Sequence, residues 1–280
     1  LTADISRMKK LGFNMLRKHA KIEPERFYYH CDQLGMLVWQ DMVNGGSAYK
    51  HWFVTYLATL MNWNHISFSD DEKHAGLLSR LHPEGKDEFR REITETIAFL
   101  YNHPSIVVWV PFNEGWGQFD ALAVCEQIRT LDSSRLVDHA SGWFDQKGGD
   151  ILSLHYYFLK LKFKPESKRA AALTEFGGYS LSIPGHSCCK KVYGYKKFNS
   201  TGTLTYGYID LIRQTILPAV KKGIGATVYT QLSDIEEETN GIYTYDREIC
   251  KIDPDTLRKW NRALKEAGEC KTYADHTTDH

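Results

Sequence analysis

The chain has 280 residues, of which 42% are hydrophobic and 25% charged, so a substantial core and an ordinary polar surface are both available. Lys and Arg together number 35, as do Asp and Glu, which excludes the strong positive field of a nucleic-acid or anionic-membrane partner. No apolar run is long enough to span a bilayer, and Cys31, Cys125, Cys188, Cys189, Cys250 and Cys270 show neither CxxC nor metal-ligand spacing.

The chain opens on Leu1 without a signal-peptide pattern, as a processed or excerpted sequence does, so its compartment is left open. Ile5, Met8 and Leu11 then share one helical face, with Gly12 as its stop. Residues 13–19 (FNMLRKH) predict a strand whose far end carries Arg17 and His19 on one side by the two-residue period. Both are candidate site residues; the plain alternative for Arg17 is a surface ion pair. Pro24, Phe27, Cys31 and Leu34, followed by Gly35, describe a helix, and residues 36–41 (MLVWQD) a second buried strand closing on Asp41. Residues 42–82 hold Tyr49, His51, Trp52, Phe53, Tyr56, Trp63 and His65 among Gly, Asn and Ser. A stretch of this length suits a lid or a sugar-stacking wall, or else a small helical subdomain packing its own aromatics. Its histidines show neither HExxH nor paired Cys/His spacing, so no zinc is expected, nor any other metal or cofactor.

Phe89, Ile93, Ile97 and Leu100 predict a helix over 87–101, ended by Asn102-His103-Pro104. Residues 106–114 begin as a β-branched, buried strand and run into WVPFNEGWGQ (109–118), which delivers Asn113, Glu114 and Trp116 around Gly115 and Gly117. An acid beside an amide, permissive backbone and an indole suits a carbohydrate or other polar ligand, whereas an isolated strand-end acid is simply solvated. Leu122, Cys125, Ile128 and Leu131 mark another helix, and strands follow at 136–140, 151–157 and 171–176. The Gly-rich link from 140 to 150 leaves little room for a crossover helix. Alternation in ILSLHYY (151–157) sends Ser153, His155 and Tyr157 to one side, where His155 and Tyr157 are candidates to face the acids. A histidine so placed also serves as a satisfied core residue. LTEFGG (173–178) sets Glu175 at the end of an apolar strand, and two carboxylates at the same ends of nearby parallel strands are the pair a glycosidase needs.

Residues 179–204 form a second long loop containing the adjacent Cys188 and Cys189. Tyr208, Ile212, Ile216 and Val220 predict a helix kinked at Pro218 and ending near Gly223. The last strand, 226–232 (ATVYTQL), presents Tyr229 and Gln231 on one face, and Asn240-Gly241 reads as a hairpin turn. Asp234, Glu236, Glu237 and Glu238 fit a solvated loop better than a calcium site. Asp253-Pro254 opens a final helix that closes at Gly268, leaving 269–280 as a polar tail. Strands alternating with helices, in a chain that opens on a helix, predict an α/β fold. The specific expectation is a (β/α)8 TIM barrel over 1–268 whose first strand lies upstream of Leu1, with the candidate residues at C-terminal strand ends.

The segments GFNMLRKHAKIEPERFYYHCDQLGMLVWQDM, NHPSIVVWVPFNEGWGQ, LTEFGG and YTQLSDIEEETNGIYTYDRE resemble the catalytic barrel of family 2 glycoside hydrolases. This is the β-galactosidase, β-glucuronidase and β-mannosidase group, and the resemblance runs from Asp4 to about Ala267. It implies a retaining, exo-acting β-glycosidase with Glu114 as acid/base, Glu175 as nucleophile and Asn113 on the sugar 2-hydroxyl, the two carboxyl groups standing ~5 Å apart. Arg17 is the candidate to keep Glu175 ionised and Tyr157 to hydrogen-bond it; His19, Asp41, Trp116, His155, Tyr229 and Gln231 complete the candidate substrate-binding set. Tyr229 and Gln231 stand where many relatives place a tryptophan, which leaves the sugar preference open. Further implications are a glycoside or oligosaccharide substrate, upstream β-sandwich domains in the same polypeptide and a lean towards an extracytoplasmic location. The alternative is a non-catalytic carbohydrate-binding or scaffold barrel fragment, which would bind sugar without turning over aryl β-glycosides.

Overall fold

The computed structural model describes residues 1–275 apart from 51, 59, 62–65, 68, 158–160 and 190; His51, Trp63 and His65 of the aromatic stretch lie outside the described residues. Helix α1 (Thr2–Lys10) opens the chain and buries Ile5 and Met8 on the predicted face. By contact the chain divides into two units, one of Leu1–Ile5, Asn14–His155 and Glu166–Ala170, the other of Ser6–Phe13, Tyr156–Pro165 and Ala171–His280.

The first unit is built on a parallel sheet in the order β1 (Met15–Lys18), β2 (Leu37–Asp41), β3 (Ile106–Val110) and β4 (Leu136–Val137). Val38, Trp39, Ile106, Val108, Trp109 and Val110 are all buried, the near-continuous apolar run of strands covered on both faces. Parallel pairing demands long crossovers, and these are α2 (Glu25–Leu34), α3 (Pro83–Leu100) and α4 (Ala121–Leu131). Helix α3 buries its whole predicted stripe, Phe89, Ile93, Ile97 and Leu100, whereas α2 buries Phe27 and Cys31 but leaves Leu34 exposed, and α4 buries Cys125 and Ile128 but leaves Leu122 exposed. Each large apolar side chain so buried is worth about 2 kcal/mol relative to exposure. Helix α3 begins earlier than expected because Pro83 is already set for the first helical turn and needs no amide there. Strand β3 ends sooner than expected, at Val110, because Pro111 has no N–H to continue the ladder. Strand β4 is also shorter than expected, yet Ser141 N–H still donates to Phe112 O at 2.9 Å, so the chain stays alongside the run beyond β3. Strand β5 (Ile151–Tyr156) follows.

The stretch 42–82 divides its aromatics. A π-helical turn, Phe53–Ala58, packs Phe53 and Ala58 against Leu78 and Phe144, while Tyr49, Trp52 and Tyr56 stand exposed.

In the second unit β6 (Ala170–Gly177) is followed by the short parallel ribbon of β7 (Tyr179–Ser180) and β8 (Lys196–Lys197), then by α5 (Thr201–Leu211), a π-helical segment Ile212–Ile216, α6 (Leu217–Lys222), β9 (Ile224–Thr230) and α7 (Pro254–Asp275). Strands β6 and β9 pair in parallel, Phe176 beside Tyr229. The loop expected over 179–204 thus contains the ribbon and the start of a helix. Ser200 and Thr203 cap that helix reciprocally, each hydroxyl accepting the other's N–H at 3.2 Å, a capping box with Thr in place of the usual Glu or Gln. The kink expected at Pro218 takes the form of the π-helical segment just before it, where the ring has no N–H to return to the preceding turn.

Three expectations are corrected. Tyr229 does not lie on an open face: it is buried between Phe176 and Tyr208, ring centroids 5.4 and 5.5 Å away, because the inward positions of β9 complete an aromatic core. Asp234 is not solvated: it is buried against the equally buried Lys251, Oδ1 to Nζ 2.6 Å, and Gly241 N–H closes on the same oxygen at 2.8 Å in place of a simple hairpin. Helix α7 does not close at Gly268 but continues to Asp275, since an interior glycine costs a helix only about 1 kcal/mol and no breaker follows. Among the described residues no helix is long and apolar enough to cross a membrane.

Candidate active site

In the first unit the ends of β1 and β2 lie in register, and this lets Arg17 fork onto Asp41, Nε to Oδ1 3.0 Å and Nη2 to Oδ2 2.8 Å. The same Nη2 donates to Asn113 Oδ1 at 2.9 Å, which turns the Asn113 amide nitrogen away from the guanidinium. His19, half exposed, sets Nδ1 3.3 Å from Asp41 Oδ2. Burial alone would push the Asp41 carboxyl up; Arg17 and His19 more than offset that and hold it below the usual carboxylate range.

Beyond β3 the backbone turns sharply. Glu114 has φ 51°, a left-handed conformation a non-glycine residue adopts at a cost of about 1–3 kcal/mol. Gly115 follows at φ 68°, where an added Cβ would come within 2.0 Å of the Phe144 ring, so no larger residue fits. Glu114 N–H is tied to Ser141 O at 2.9 Å. Its Oε1 lies 2.7 Å from His155 Nδ1, and His155 Nε2 lies 3.2 Å from Ser141 Oγ. The buried imidazole therefore holds the Glu114 carboxyl in one orientation. Trp116 completes the turn, its exposed ring edge-on to Tyr49 at 4.9 Å.

In the second unit Glu175 sits near the end of β6. Tyr157 donates its hydroxyl to Glu175 Oε2 at 2.5 Å, lies 3.1 Å from Thr230 Oγ1 and stacks on Tyr195 with centroids 4.2 Å apart. Gln231, after a cis Thr230–Gln231 peptide, spends its amide nitrogen on Glu238 Oε2 at 2.8 Å and Asn240 Oδ1 at 2.7 Å. With Tyr229 buried, these two residues do not share the expected face.

The structure thus brings Arg17, His19, Asp41 and Asn113 into one network, Glu114 and His155 into a second, and Tyr157 and Glu175 into a third. Residues that sequence reasoning passed over include Ser141, Tyr195 and, above all, Asp138. Asp138 is fully buried just past β4, where burial outweighs the help its carboxylate draws from Arg17, His139 and Ser153. Its signal was available: RLVD ends an apolar run on an acid, as MLVWQD does. A group able to hold a cation is His186, Asp246 and Glu248, whose ligand atoms lie within 4.8 Å of one another; His186 Nδ1 already meets Asp246 Oδ2 at 2.7 Å.

Residues 1–216 match the family described as "Glycosyl hydrolases family 2, TIM barrel domain". The chain belongs to this family. Its fold is the TIM barrel, consistent with parallel strands alternating with helices in each unit. Among curated relatives, it is 26% identical over 285 residues to a β-galactosidase of Leuconostoc mesenteroides, covering 96% of this chain and 24% of that protein. It is 32% identical over 94 residues to β-mannosidase B of Thermothelomyces thermophilus, covering 34% of this chain and 8% of that one. Solved structures with the same fold include a β-D-glucuronidase of Dictyoglomus thermophilum (TM-score 0.63, 15% identity, 92% of this chain and 46% of that one). A family 2 β-galacturonidase of Eisenbergiella tayi is similar too (TM-score 0.62, 19% identity, 93% and 46%). The chain therefore spans about a quarter of the β-galactosidase's length and under half of each solved chain.

Proposed function

We propose that this chain is the catalytic barrel of a retaining, exo-acting, β-galactosidase-like glycosidase, preceded by β-sandwich domains in the same polypeptide. The observation that carries it is that each of two strand-end glutamates has its carboxyl oriented by a dedicated partner, Glu114 by His155 and Glu175 by Tyr157. Membership of family 2 supports the same reaction class.

Glu175, ionised, attacks the anomeric carbon while protonated Glu114 donates to the departing glycosidic oxygen. Water then attacks the glycosyl ester, Glu114 takes its proton, and the bonding pair returns to Glu175 as the sugar leaves. Tyr157 stabilises the carboxylate of Glu175 before attack and after release. Asn113, its oxygen committed to Arg17, presents its amide nitrogen to the sugar 2-hydroxyl. Asp41, buried against Arg17 and His19, orients both of these side chains.

Proton NMR of the first anomer released from an aryl β-glycoside tests the reaction class. The β-anomer is expected at early times. First release of the α-anomer would sink the retaining mechanism, and binding without turnover would favour a non-catalytic barrel.

A further inference from the structure

Trp116 is an exposed indole on a backbone that is anything but loose. Its own carbonyl accepts from Asn44 Nδ2, and its N–H donates to Asn113 O at 3.1 Å. The next residue, Gly117, donates to Leu78 O at 2.9 Å and approaches residues 44–45 so closely that a Cβ there would lie 2.6 Å from Gly45 O. Both strands of this contact are pinned by Arg80, a buried cation whose Nε donates to Gly117 O at 2.9 Å and whose Nη2 donates to Asn44 Oδ1 at 2.7 Å. The Arg80 guanidinium in turn lies over Phe89 and Phe119, 5.0 and 5.3 Å from their centroids. A buried cation, an amide and a glycine thus fix one ring that is 44% exposed, with Tyr49, 42% exposed, set edge-on beside it.

Leaving an aromatic ring in water while immobilising its backbone gains nothing for folding, but it preorganises a flat apolar surface for a ligand. Trp116 is two residues beyond Glu114, on the same tight turn. An acid/base donates its proton to the oxygen that leaves, so the groups flanking it lie on the leaving-group side of the bond. We infer that Trp116, supported by Tyr49, is the platform for the leaving group, and that the preferred substrates carry an aglycone with a flat apolar face, an aromatic ring or a second pyranose. This rests on the glycosidase reading above and adds to it the class of aglycone.

Hydrolysis-resistant thioglycosides separate the two. Calorimetric titration of the full chain compares methyl, phenyl and thio-linked disaccharide 1-thio-β-glycosides of galactose, mannose and glucuronic acid. The phenyl ligand, the disaccharide, or both should bind about tenfold tighter than the methyl ligand of the same sugar. Trp116→Ala should reduce that preference to within about twofold while Trp116→Phe keeps most of it, with thermal unfolding unchanged. The identity of the favoured ligand names the aglycone as aromatic or saccharide. No preference in the parent, a preference surviving in Trp116→Ala, or no binding in any sugar series would overturn the platform. An intact preference in a chain that turns over no O-glycoside would instead overturn the hydrolase reading alone.

Discussion

Asp138 is a fully buried carboxylate of the first unit whose burial outweighs the cations around it. Burial pushes it up to about 6 even though Arg17 and His139 pull the other way, and Asp41 adds repulsion. A folded-state pKa above the unfolded value of about 4 means that the folded chain binds the extra proton between those values, so this group's contribution to stability falls as pH rises from about 4 to about 6. Two pH units correspond to ~3 kcal/mol. Asp41 works in the opposite sense: its lowered pKa contributes stability that is fully present above the ordinary carboxylate value and is lost as pH falls from there through the lowered folded one. Urea unfolding of the parent and Asp138→Asn from pH 4 to pH 7 should therefore give a stability gap that opens in favour of the variant by about 3 kcal/mol. A gap independent of pH would refute the assignment. At this scale the sequence disclosed residue types and strand-end positions, but not who bonds to whom. That Arg17 commits itself to Asp41 and Asn113, or that Tyr229 turns inward, depends on register and on packing between segments far apart in the chain.

Among the elements, the segment between β9 and α7 owes its shape to one buried cation. Lys251 Nζ donates to Leu181 O at 2.9 Å, Thr239 O at 2.8 Å and Asp234 Oδ1 at 2.6 Å, tying three stretches of loop to one point. Lys251→Met leaves Asp234 buried with an uncompensated charge and should destabilise the chain by roughly 3–5 kcal/mol. Adding Asp234→Asn should recover part of that loss, so the double variant is expected to unfold at higher denaturant than Lys251→Met alone. Strictly additive losses would contradict the pairing. Helices α2, α3 and α4 were legible because their apolar residues recur at helical spacing between clear stops. The start of α5 was not, because its cap uses Thr203, and the end of α7 was not, because Gly268 is tolerated rather than terminal. The Asp234–Lys251 pair could not be read locally: a run of acids looks solvated until a distant lysine is brought to it.

For the whole molecule, the alternation of buried parallel strands with amphipathic helices predicted the TIM barrel, and family 2 membership bears that out. Hydrophobic period carries such architecture because every crossover must cover the same apolar sheet. The stretch 42–82 resisted that logic, since its aromatics divide between a small cluster around Phe53 and exposed rings, of which Tyr49 stands beside Trp116, a division no periodicity encodes. What the barrel does with its two strand-end glutamates is tested most directly by chemical rescue. Glu175→Ala should lose turnover of an activated aryl β-glycoside by at least about a thousandfold, and added azide should restore it through direct displacement, releasing the α-glycosyl azide. Parental turnover by the variant without azide, or release of the β-glycosyl azide, would contradict Glu175 as the nucleophile.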